Sequence, residues 1–555
     1  MAPGHEGLPV LVLGPLLRYV GETEATLWVE TDRPCRVEVL GYSARTFAVA
    51  GHHYGLVVVR GLRPGTDYAY EVVLDDTVRW PEKDSAFGPS VLRTLDPSGP
   101  QHLVFGSCRR AQLPPPDDHR SDAMAALAYK LAGMPPESRP DAVLLIGDQV
   151  YADSPGPSTQ RFIEDRRDPS APPGHDVADF EEYCALYREA WSAPAVRWLL
   201  SVMPTIMIFD DHDVHDDWNI SAAWRRETRA SPWWQSRITG AYMSYWIYQH
   251  LGNLAPSELG SDDLWRHVQD QDDAAPALRE LALRSDAPDH GVRWSIRRDF
   301  GRVRVVVIDS RSHRVVDDDR HRLMVDQAEW EWVTTSSHGD LDHLVLATSL
   351  PLLLPRGIHS LEAWNEAVCA GAWGKRFSST AERLRQAVDL EHWAAFRASF
   401  AAFERLLTDI AGGSAGPAPA SITVISGDIH HNYLAAVNLP RAARSTTAIY
   451  QAVCSPIHNI LSGSTRRSLR LVTSLFGAAI TAAAARLAGV RAPRVRWKIT
   501  DGPWFLNMLA ELSYDGLEAR IRFDRAVADP AGRTRLEPEA EAVLTRATPP
   551  DAGAA

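Results

Sequence analysis

Several features that would assign the 555-residue chain to a specialised class of protein are missing from its sequence. The five cysteines are odd in number, widely scattered and never spaced as C-x-x-C, which argues against a disulfide framework and a structural zinc module. The N-terminus has an apolar run, but it lacks the basic region and the small-x-small cleavage site of a secretory signal. We therefore expect a cytoplasmic protein.

The chain also has fewer basic than acidic side chains, 58 compared with 71, which gives a net charge of −13. A broad electrostatic surface for nucleic acid is therefore not expected, and any affinity for phosphate must be local. With 45% apolar and 23% charged residues, the composition is that of a globular protein with large cores.

No long, uncharged apolar run is present. The most apolar segment, Leu469–Val490, carries Arg470 and Arg486, and its uncharged part is shorter than the ~18–20 residues of a membrane span. We expect no transmembrane segment, and we expect this alanine-rich stretch to form a buried helix. An interfacial or partner-binding helix is the alternative.

The distribution of apolar residues predicts two folding units and a tail. Residues 8–95 contain short β-branched runs separated by turn signals, which is typical of a small all-β sandwich of the fibronectin or Ig type, with Tyr68 securing a turn. Residues 100–530 alternate apolar β-runs with long helical patterns and indicate an α/β domain. Residues 538–555 offer little apolar surface, and we expect a disordered tail.

Polar clusters end six apolar β-runs of the second unit. These runs are HLVFGSC, DAVLLIGDQVYAD, TIMIFDDHDVHDDWN, VRVVVIDSR, HLVLATS and TVISGDIHHN. In open α/β sheets, ligands bind in the loops beyond the carboxyl ends of the strands, so these clusters are expected to meet at one sheet edge.

Four of the strand ends carry side chains that bind metals. In chain order they are Cys108; Asp148 with Tyr151; Asp211 with His212 and Asp213; and Asp428 with His430 and His431. A single aspartate after a strand is usually a turn former or helix cap, but four strand ends with this chemistry favour a metal site. Thiolate, phenolate, imidazole and carboxylate groups together indicate more than one metal ion.

Five ordered motifs give the sequence a family resemblance. They are GSC-R at 106–109, GDQVYAD at 147–153, DDHDV at 210–214, IDSR at 308–311 and SGDIHH at 426–431. In order and separation they resemble the PhoD-like alkaline phosphatases, a branch of the calcineurin-like metallophosphoesterases. This resemblance implies an α/β fold, a four-layer αββα sandwich, preceded by a small all-β domain.

The resemblance also implies a multinuclear site in which Fe³⁺ lies beside Ca²⁺, although other divalent metals are possible. Carried over by motif, the iron ligands are Cys108, Asp148, Tyr151 and His430, with Asp148 bridging to a neighbouring ion. Asp211 and Asp428 are expected on the calcium side, and Asp309 is a further candidate ligand.

The same resemblance assigns roles in catalysis. His212 would stabilise or protonate the reacting phosphate group, and Asp213, which replaces the more usual glutamate, would orient its imidazole. Arg311 would contact the phosphate, with Arg109 as a second candidate, because a guanidinium fork suits a tetrahedral oxyanion. The alternative for either arginine is a salt bridge to a nearby aspartate.

The predicted function is metal-dependent hydrolysis of a phosphate ester, with a metal-activated water attacking phosphorus in line. Preference between monoesters and diesters stays open. The alternative is an inactive relative that acts as an interaction or membrane-surface protein through the 469–490 helix.

Overall fold

In a computed structural model of the chain, the described residues are 7–113, 121–287, 291–317, 320–414, 416–440, 445–459, 461, 474–529 and 533–545. The strands are β1 Leu11–Val20, β2 Ala25–Thr31, β3 Arg36–Val39, β4 Tyr42–Arg45, β5 Phe47–Val49, β6 His52–Val59, β7 Asp67–Ala69, β8 Val72–Leu74, β9 Thr77–Trp80, β10 Val91–Arg93, β11 Gln101–Gly106, β12 Ala142–Ile146, β13 Thr205–Ile208, β14 Ile296–Phe300, β15 Val303–Ile308, β16 His343–Thr348, β17 Ser421–Ser426, β18 Asn432–Asn438, β19 Ala448–Val453, β20 Arg496–Trp504, β21 Met508–Asp515, β22 Glu518–Ala528 and β23 Thr534–Val543. The helices are α1 Ala123–Ala132, α2 Pro157–Arg166, α3 Phe180–Trp191, α4 Pro194–Val202, α5 Ala222–Arg229, α6 Trp234–Ser244, α7 Leu251–Asn253, α8 Pro256–Ser261, α9 Asp263–Asp270, α10 Ala275–Ser285, α11 Gln327–Ser337, α12 Arg356–Cys369, α13 Lys375–Ala387, α14 Arg397–Ala411 and α15 Leu475–Leu487. A π-helix, Tyr245–His250, joins α6 to α7.

The N-terminal region is all-β. Its sheets have the strand orders β1-β2-β6-β5, β4-β3-β8-β9 and β10-β7. The hydroxyl of Tyr68 accepts a hydrogen bond from the backbone N–H of Arg63 at 2.8 Å, which secures the turn before β7. This contact is the structural role that the sequence predicts for Tyr68.

Two larger sheets make up the rest of the molecule and give it mixed α/β character. One has the order β13-β12-β11-β21-β22-β23 and the other β14-β15-β16-β17-β19-β18-β20. Strands β11, β12 and β13 are parallel, as are β15, β16, β17 and β19. Within each sheet, the parallel strands therefore direct their carboxyl ends toward one edge.

Alternate residues of β15 show how the second sheet is buried on both faces. Val305 and Val307 share one core with Leu144 of the first sheet. Val306 lies in a second core together with Phe403 of α14. Burial on both faces explains why this strand reads as a continuous apolar run in the sequence.

The expectation of a disordered tail from residue 538 is wrong for its first part, and the α/β unit extends past residue 530. Strand β23 pairs antiparallel with β22, for example Phe523 with Ala540, and Leu544 is buried. Arg525 contacts both Glu537 and Glu539, so the acidic side chains of this segment are partly paired. Residues 546–555 lie outside the described residues.

The expectation of a buried helix over 469–490 is also wrong where the structure describes it. Residues 469–473 lie outside the described residues, and α15 begins at Leu475. Phe476, Ile480 and Leu487 are 75%, 53% and 79% exposed, so the helix keeps an apolar face at the surface. In the described part of the chain, each helix is too short or too polar to cross a bilayer.

Candidate metal centre

The carboxyl ends of parallel strands from the two large sheets meet at the candidate site. Cys108 follows β11, Asp148 follows β12, Asp211 follows β13 and Asp428 follows β17. The approach of β11 and β17 is so close that a Cβ at Gly427 would overlap the side chain of Ser107. A glycine is therefore required at this position.

Overlapping groups of candidate ligands form a continuous cluster. The groups, each with its ligand atoms within 4.8 Å of one another, are Cys108–Asp148–His430, Asp148–Asp211–His212, Asp153–His212–Asp216 and Asp210–Asp211–Asp428. Asp148 and Asp211 each belong to two groups, as expected for carboxylates that bridge neighbouring cations. The structure thus brings together Cys108, Asp148, Asp211, His212, Asp428 and His430 from the predicted set.

Backbone strain is concentrated at the same place. Cys108, Asp428 and His430 have φ values of 59°, 65° and 52°, in the left-handed region that side chains other than glycine rarely adopt. Such conformations cost about 1–3 kcal/mol each and persist where function requires a particular side-chain direction. Here they direct a thiol, a carboxylate and an imidazole into one cluster.

Asp148 provides the test of whether a cation fits. It is 1% exposed, and within the described part of the chain neither of its carboxylate oxygens has a hydrogen-bond partner. Burial, together with the charges of neighbouring carboxylates such as Asp211, raises the pKa of Asp148 well above its usual value, against the opposing effect of His212. A buried carboxylate without a donor is costly unless a cation neutralises it, so the residues fit a metal site.

Three further groups that can bind a metal ion surround Asp148. They are the thiol of Cys108, the phenol of Tyr151 and the imidazole of His430. Burial raises the pKa of the Cys108 thiol and that of the Tyr151 phenol well above their usual values. Burial also lowers the pKa of His430 to about 4, so this imidazole is neutral and free to donate a lone pair. The hydroxyl of Tyr151 accepts a hydrogen bond from Asn459 at 3.0 Å.

His212 is oriented by Asp153, not by Asp213 as the sequence analysis predicts. Its Nδ1 lies 2.8 Å from a carboxylate oxygen of Asp153. Asp213 instead accepts hydrogen bonds from the backbone N–H groups of Gln149 and Asp210 and from the side-chain amide of Gln249. Asp213 therefore holds the surrounding loops, and its predicted contact with the imidazole is wrong.

Arg311 is wholly buried, and its guanidinium contacts carboxylates instead of facing an open pocket. It pairs with Asp210, with Asp211 at 3.1 Å, with Glu391 at 2.5 Å and with Asp428 at 3.6 Å. The side chain has no exposed surface, and these ion pairs correspond to the alternative given for it above, a salt bridge to a nearby aspartate. Arg311 holds the acidic side chains of the centre in position.

Asp309 lies outside all four groups of candidate ligands, although the sequence analysis names it as one. Its carboxylate accepts hydrogen bonds from the backbone N–H groups of Arg311 and Ser312 and from the Ser312 hydroxyl. It is a turn cap, which is the usual role of an aspartate after a strand.

Arg109, the second candidate for the phosphate contact, is likewise paired with an aspartate. Its Nε and one terminal nitrogen donate to Asp122 at 2.9 and 2.8 Å, and its other terminal nitrogen donates to the carbonyl of Ala190. The neighbouring Arg110 differs, because its guanidinium lies 4.5 Å from the centre of the Tyr151 ring. Among the described residues, no carboxylate oxygen lies within 4.0 Å of Arg110.

Sequence reasoning missed Glu391 and His392, which reach the centre from the segment between α13 and α14. The two ring nitrogens of His392 face carboxylates, one of Glu362 at 2.6 Å and one of Asp428 at 3.1 Å. Although burial raises the pKa of Asp428, the hydrogen bond and charge of His392 lower it below its usual range. No motif in the sequence signals this segment, whereas Asp153 and Asp210 stand inside the motifs GDQVYAD and DDHDV.

Comparisons with known proteins cover most of the chain. A family model described as PhoD-like phosphatase matches residues 123–501, and one described as a domain of unknown function, DUF7800, matches residues 8–92. A solved structure entitled "Structure of PhoD" shares the fold, with a TM-score of 0.59, 13% identity, and coverage of 98% of this chain and 92% of its own. A maltogenic amylase from S. marinus aligns over 92% of this chain and 76% of its own at 9% identity, with a TM-score of only 0.14. No curated protein matches the sequence.

Proposed function

Because the chain belongs to the PhoD-like phosphatase family, we propose that it is a metal-dependent phosphoric ester hydrolase acting at the centre around Asp148. The observation that carries the proposal is the buried Asp148 carboxylate, which has no hydrogen-bond donor among the described residues and lies between Cys108, Asp211, His212 and His430. A site built in this way needs cations, and such cations can bind a phosphate ester and activate a water to attack it.

We propose that two kinds of cation are held. Cys108, Asp148, Tyr151 and His430 would hold Fe³⁺, because thiolate and phenolate are strong anionic donors to a high-valent transition metal. Asp211 and Asp428 would hold Ca²⁺, which prefers carboxylate oxygens. When bound, such ions neutralise phosphate charge and lower the pKa of water.

His212 and Arg110 are the residues that would act on the ester. Asp153, 2.8 Å from the ring nitrogen, would hold the His212 imidazole so that it can donate a proton to the leaving oxygen. Arg110 is half-buried beside Tyr151 and would contact the phosphate, because Arg311 and Arg109 are paired with carboxylates. Replacing Arg110 with glutamine is expected to raise KM about tenfold while bound metal stays constant.

The two large sheets, with helices such as α14 against the outer face of the second, support a four-layer αββα arrangement. In such an arrangement the edge where the strands end stays open between the helical layers, so a substrate has access to the centre from that side.

The proposal is tested with an aryl phosphate monoester and the matched diester, using purified full chain supplied with Ca²⁺ and Fe³⁺. Chelator-sensitive hydrolysis of either ester is the expected result, and the ratio of the two rates sets the preferred substrate class. Absence of turnover by folded, metal-loaded protein would contradict the proposal and favour the inactive interaction protein with its exposed α15 face.

A further inference from the structure

A cavity lies apart from the metal centre, between α5, the end of α12 and the start of α13. Its volume is about 630 Å³, within the ~300–1,000 Å³ usual for small-molecule sites. Arg225 and Arg229 of α5 line one side, Lys375 and Ser378 of α13 line another, and Cys369 of α12 is buried beside them. None of the candidate metal ligands lines this cavity.

Among the described residues, the lining of this cavity is mainly basic. The cationic lining side chains are Arg225, Arg226, Arg229, Arg320 and Lys375. Among the described lining residues, Asp317 alone is acidic. In a chain of net charge −13, such a local excess of positive charge marks a place where an anion is attracted.

Two of the arginines are fixed in place by the fold. Arg225 donates to the side chains of Asn219 and Asp317 and to the carbonyl of Arg314, and it is 9% exposed. Arg229 contacts Asp286 at 3.0 Å. These contacts hold two guanidinium groups at the wall before any ligand arrives, which reduces the entropy lost on binding.

Arg226 and Lys375 are exposed and not committed to acidic partners. Arg226 makes one weak contact, from its Nε to the carbonyl of Ala222 at 3.3 Å. In the described part of the chain, no carboxylate oxygen lies within 4.0 Å of either side chain. Their charged ends are therefore available to an anion in the cavity.

The start of α13 adds to the positive potential. The helix has 13 residues, and its N-cap residue, Gly374, offers no side chain to accept hydrogen bonds from the first turn. Lys375 and Ser378 of this first turn line the cavity. The partial positive charge of the helix terminus therefore acts in the same direction as the side chains.

We propose that this cavity is a second anion site, which binds a phosphate group. The group could be a further phosphate of the substrate or a free phosphate ion, since both present the same tetrahedral oxyanion. Binding of a free phosphate ion does not depend on hydrolysis at the metal centre. The alternative, that the cavity binds a further phosphate of the substrate, rests on the proposed function.

Asn219 connects the cavity to the metal centre. Its side-chain oxygen accepts from Arg225 of the cavity wall, and its side-chain nitrogen donates to the carbonyl of Arg311, which holds Asp211 and Asp428. Asn219 is therefore the single residue between Arg225 of the cavity wall and Arg311, the arginine that pairs with the acidic side chains of the metal centre.

The binding test is equilibrium dialysis of the full chain, metal-loaded, with radiolabelled inorganic phosphate. The cavity variant is Arg226→Gln with Lys375→Gln, and the matched control is Arg376→Gln, an exposed cation that follows Lys375 but does not line the cavity. We expect wild type and control to bind one more phosphate per chain than the cavity variant. If the variant still binds this phosphate, we expect its affinity to be at least about tenfold weaker. Equal stoichiometry and affinity in all three would overturn the proposal.

This comparison separates the cavity from the proposed function. If the metal centre binds no phosphate, the wild type still binds one phosphate and the cavity variant none. A kinetic arm then identifies the source, using an ester with one phosphate and an ester with two. A loss of about tenfold in kcat/KM confined to the doubly phosphorylated ester assigns the cavity to the substrate, and unchanged kcat/KM for both esters assigns it to the free ion.

Discussion

Residues that contact one another across strand ends determine the chemistry of the candidate centre. Asp148 and Asp428 follow long buried strands, where an acidic group needs a partner, and the sequence predicts them for that reason. Asp428 has its partners in His392 and Arg311. Asp148 has no hydrogen-bond donor among the residues that the structure describes, so its charge depends on a cation.

The contact between His212 and Asp153 yields a prediction for Asp153→Asn. Loss of the carboxylate removes the group that fixes the ring, so kcat should fall about 10–100-fold with KM and bound metal little changed. The measurement is steady-state hydrolysis together with elemental analysis. Asp213→Asn is the comparison variant, and a larger loss of kcat there would contradict the assignment.

His313 is predicted to be protonated at neutral pH. Its Nδ1 lies 2.7 Å from a carboxylate oxygen of Asp326 and its Nε2 lies 2.8 Å from the carbonyl of Val292, and since neither oxygen donates, both nitrogens must. Burial opposes the charge, but the hydrogen bond to Asp326 and the charges of Asp309 and Glu329 raise the pKa of His313 to about 9.

This raised pKa gives stability that is complete below pH ~6.5, the unfolded value, and is lost as the pH rises through about 9. Thermal midpoints of wild type and His313→Gln should therefore converge between pH 7 and about 10. A difference between the two proteins that stays constant over this range would exclude a protonated His313.

Residue spacing could not distinguish Asp153 from Asp213, although both stand in recognised motifs. The direction of a side chain in a turn depends on backbone angles that neither motif encodes. Glu391 and His392 were beyond prediction for another reason: they lie on a segment without periodicity, and tertiary packing alone brings them to the centre.

Secondary-structure elements were easiest to predict where burial in the core determines their residues. Strands β15 and β17 are buried along their whole length, and their apolar runs are visible in the sequence. Strand β23 was missed because its acidic and small residues carry no strand pattern, and its conformation depends on pairing with β22. The exposed α15 was misjudged because alanine fits both a buried and an exposed helix.

Removal of β23 should destabilise the whole sheet to which it belongs, β13-β12-β11-β21-β22-β23. A chain ending at Arg533 loses the ladder to β22 and the buried Leu544, whose burial alone stabilises the fold by about 2 kcal/mol. We expect a lower thermal midpoint than for a chain ending at Thr545. Equal midpoints for the two chains would show that the strand contributes nothing.

At the scale of the whole molecule, buried polar contacts join the N-terminal region to the α/β region. Arg18 of β1 is 1% exposed and donates to the carbonyls of Tyr248 and Gln249 in the π-helix, both at 2.6 Å. The side chain of Gln249 in turn donates to Asp213 in the loop that carries His212. The first region is therefore joined to the loop beside the metal centre.

Arg18→Met should lower the free energy of unfolding by about 3 kcal/mol or more, because it leaves buried carbonyls without donors. Arg36→Met, which removes an exposed arginine of the same region, is the matched control and should change it by less than about 1 kcal/mol. Thermal unfolding should also remain a single transition in the wild type. Two separate transitions would mean that the regions fold independently.

The measurement that tests the metal centre most directly is bound metal per chain, determined by elemental analysis together with aryl phosphate turnover. The variants are Asp148→Asn and, as a control, Asp309→Asn, which changes a buried aspartate outside the ligand groups. The proposed centre predicts loss of metal and of turnover in Asp148→Asn, with metal retained in Asp309→Asn. Wild-type metal content and turnover in Asp148→Asn would contradict it.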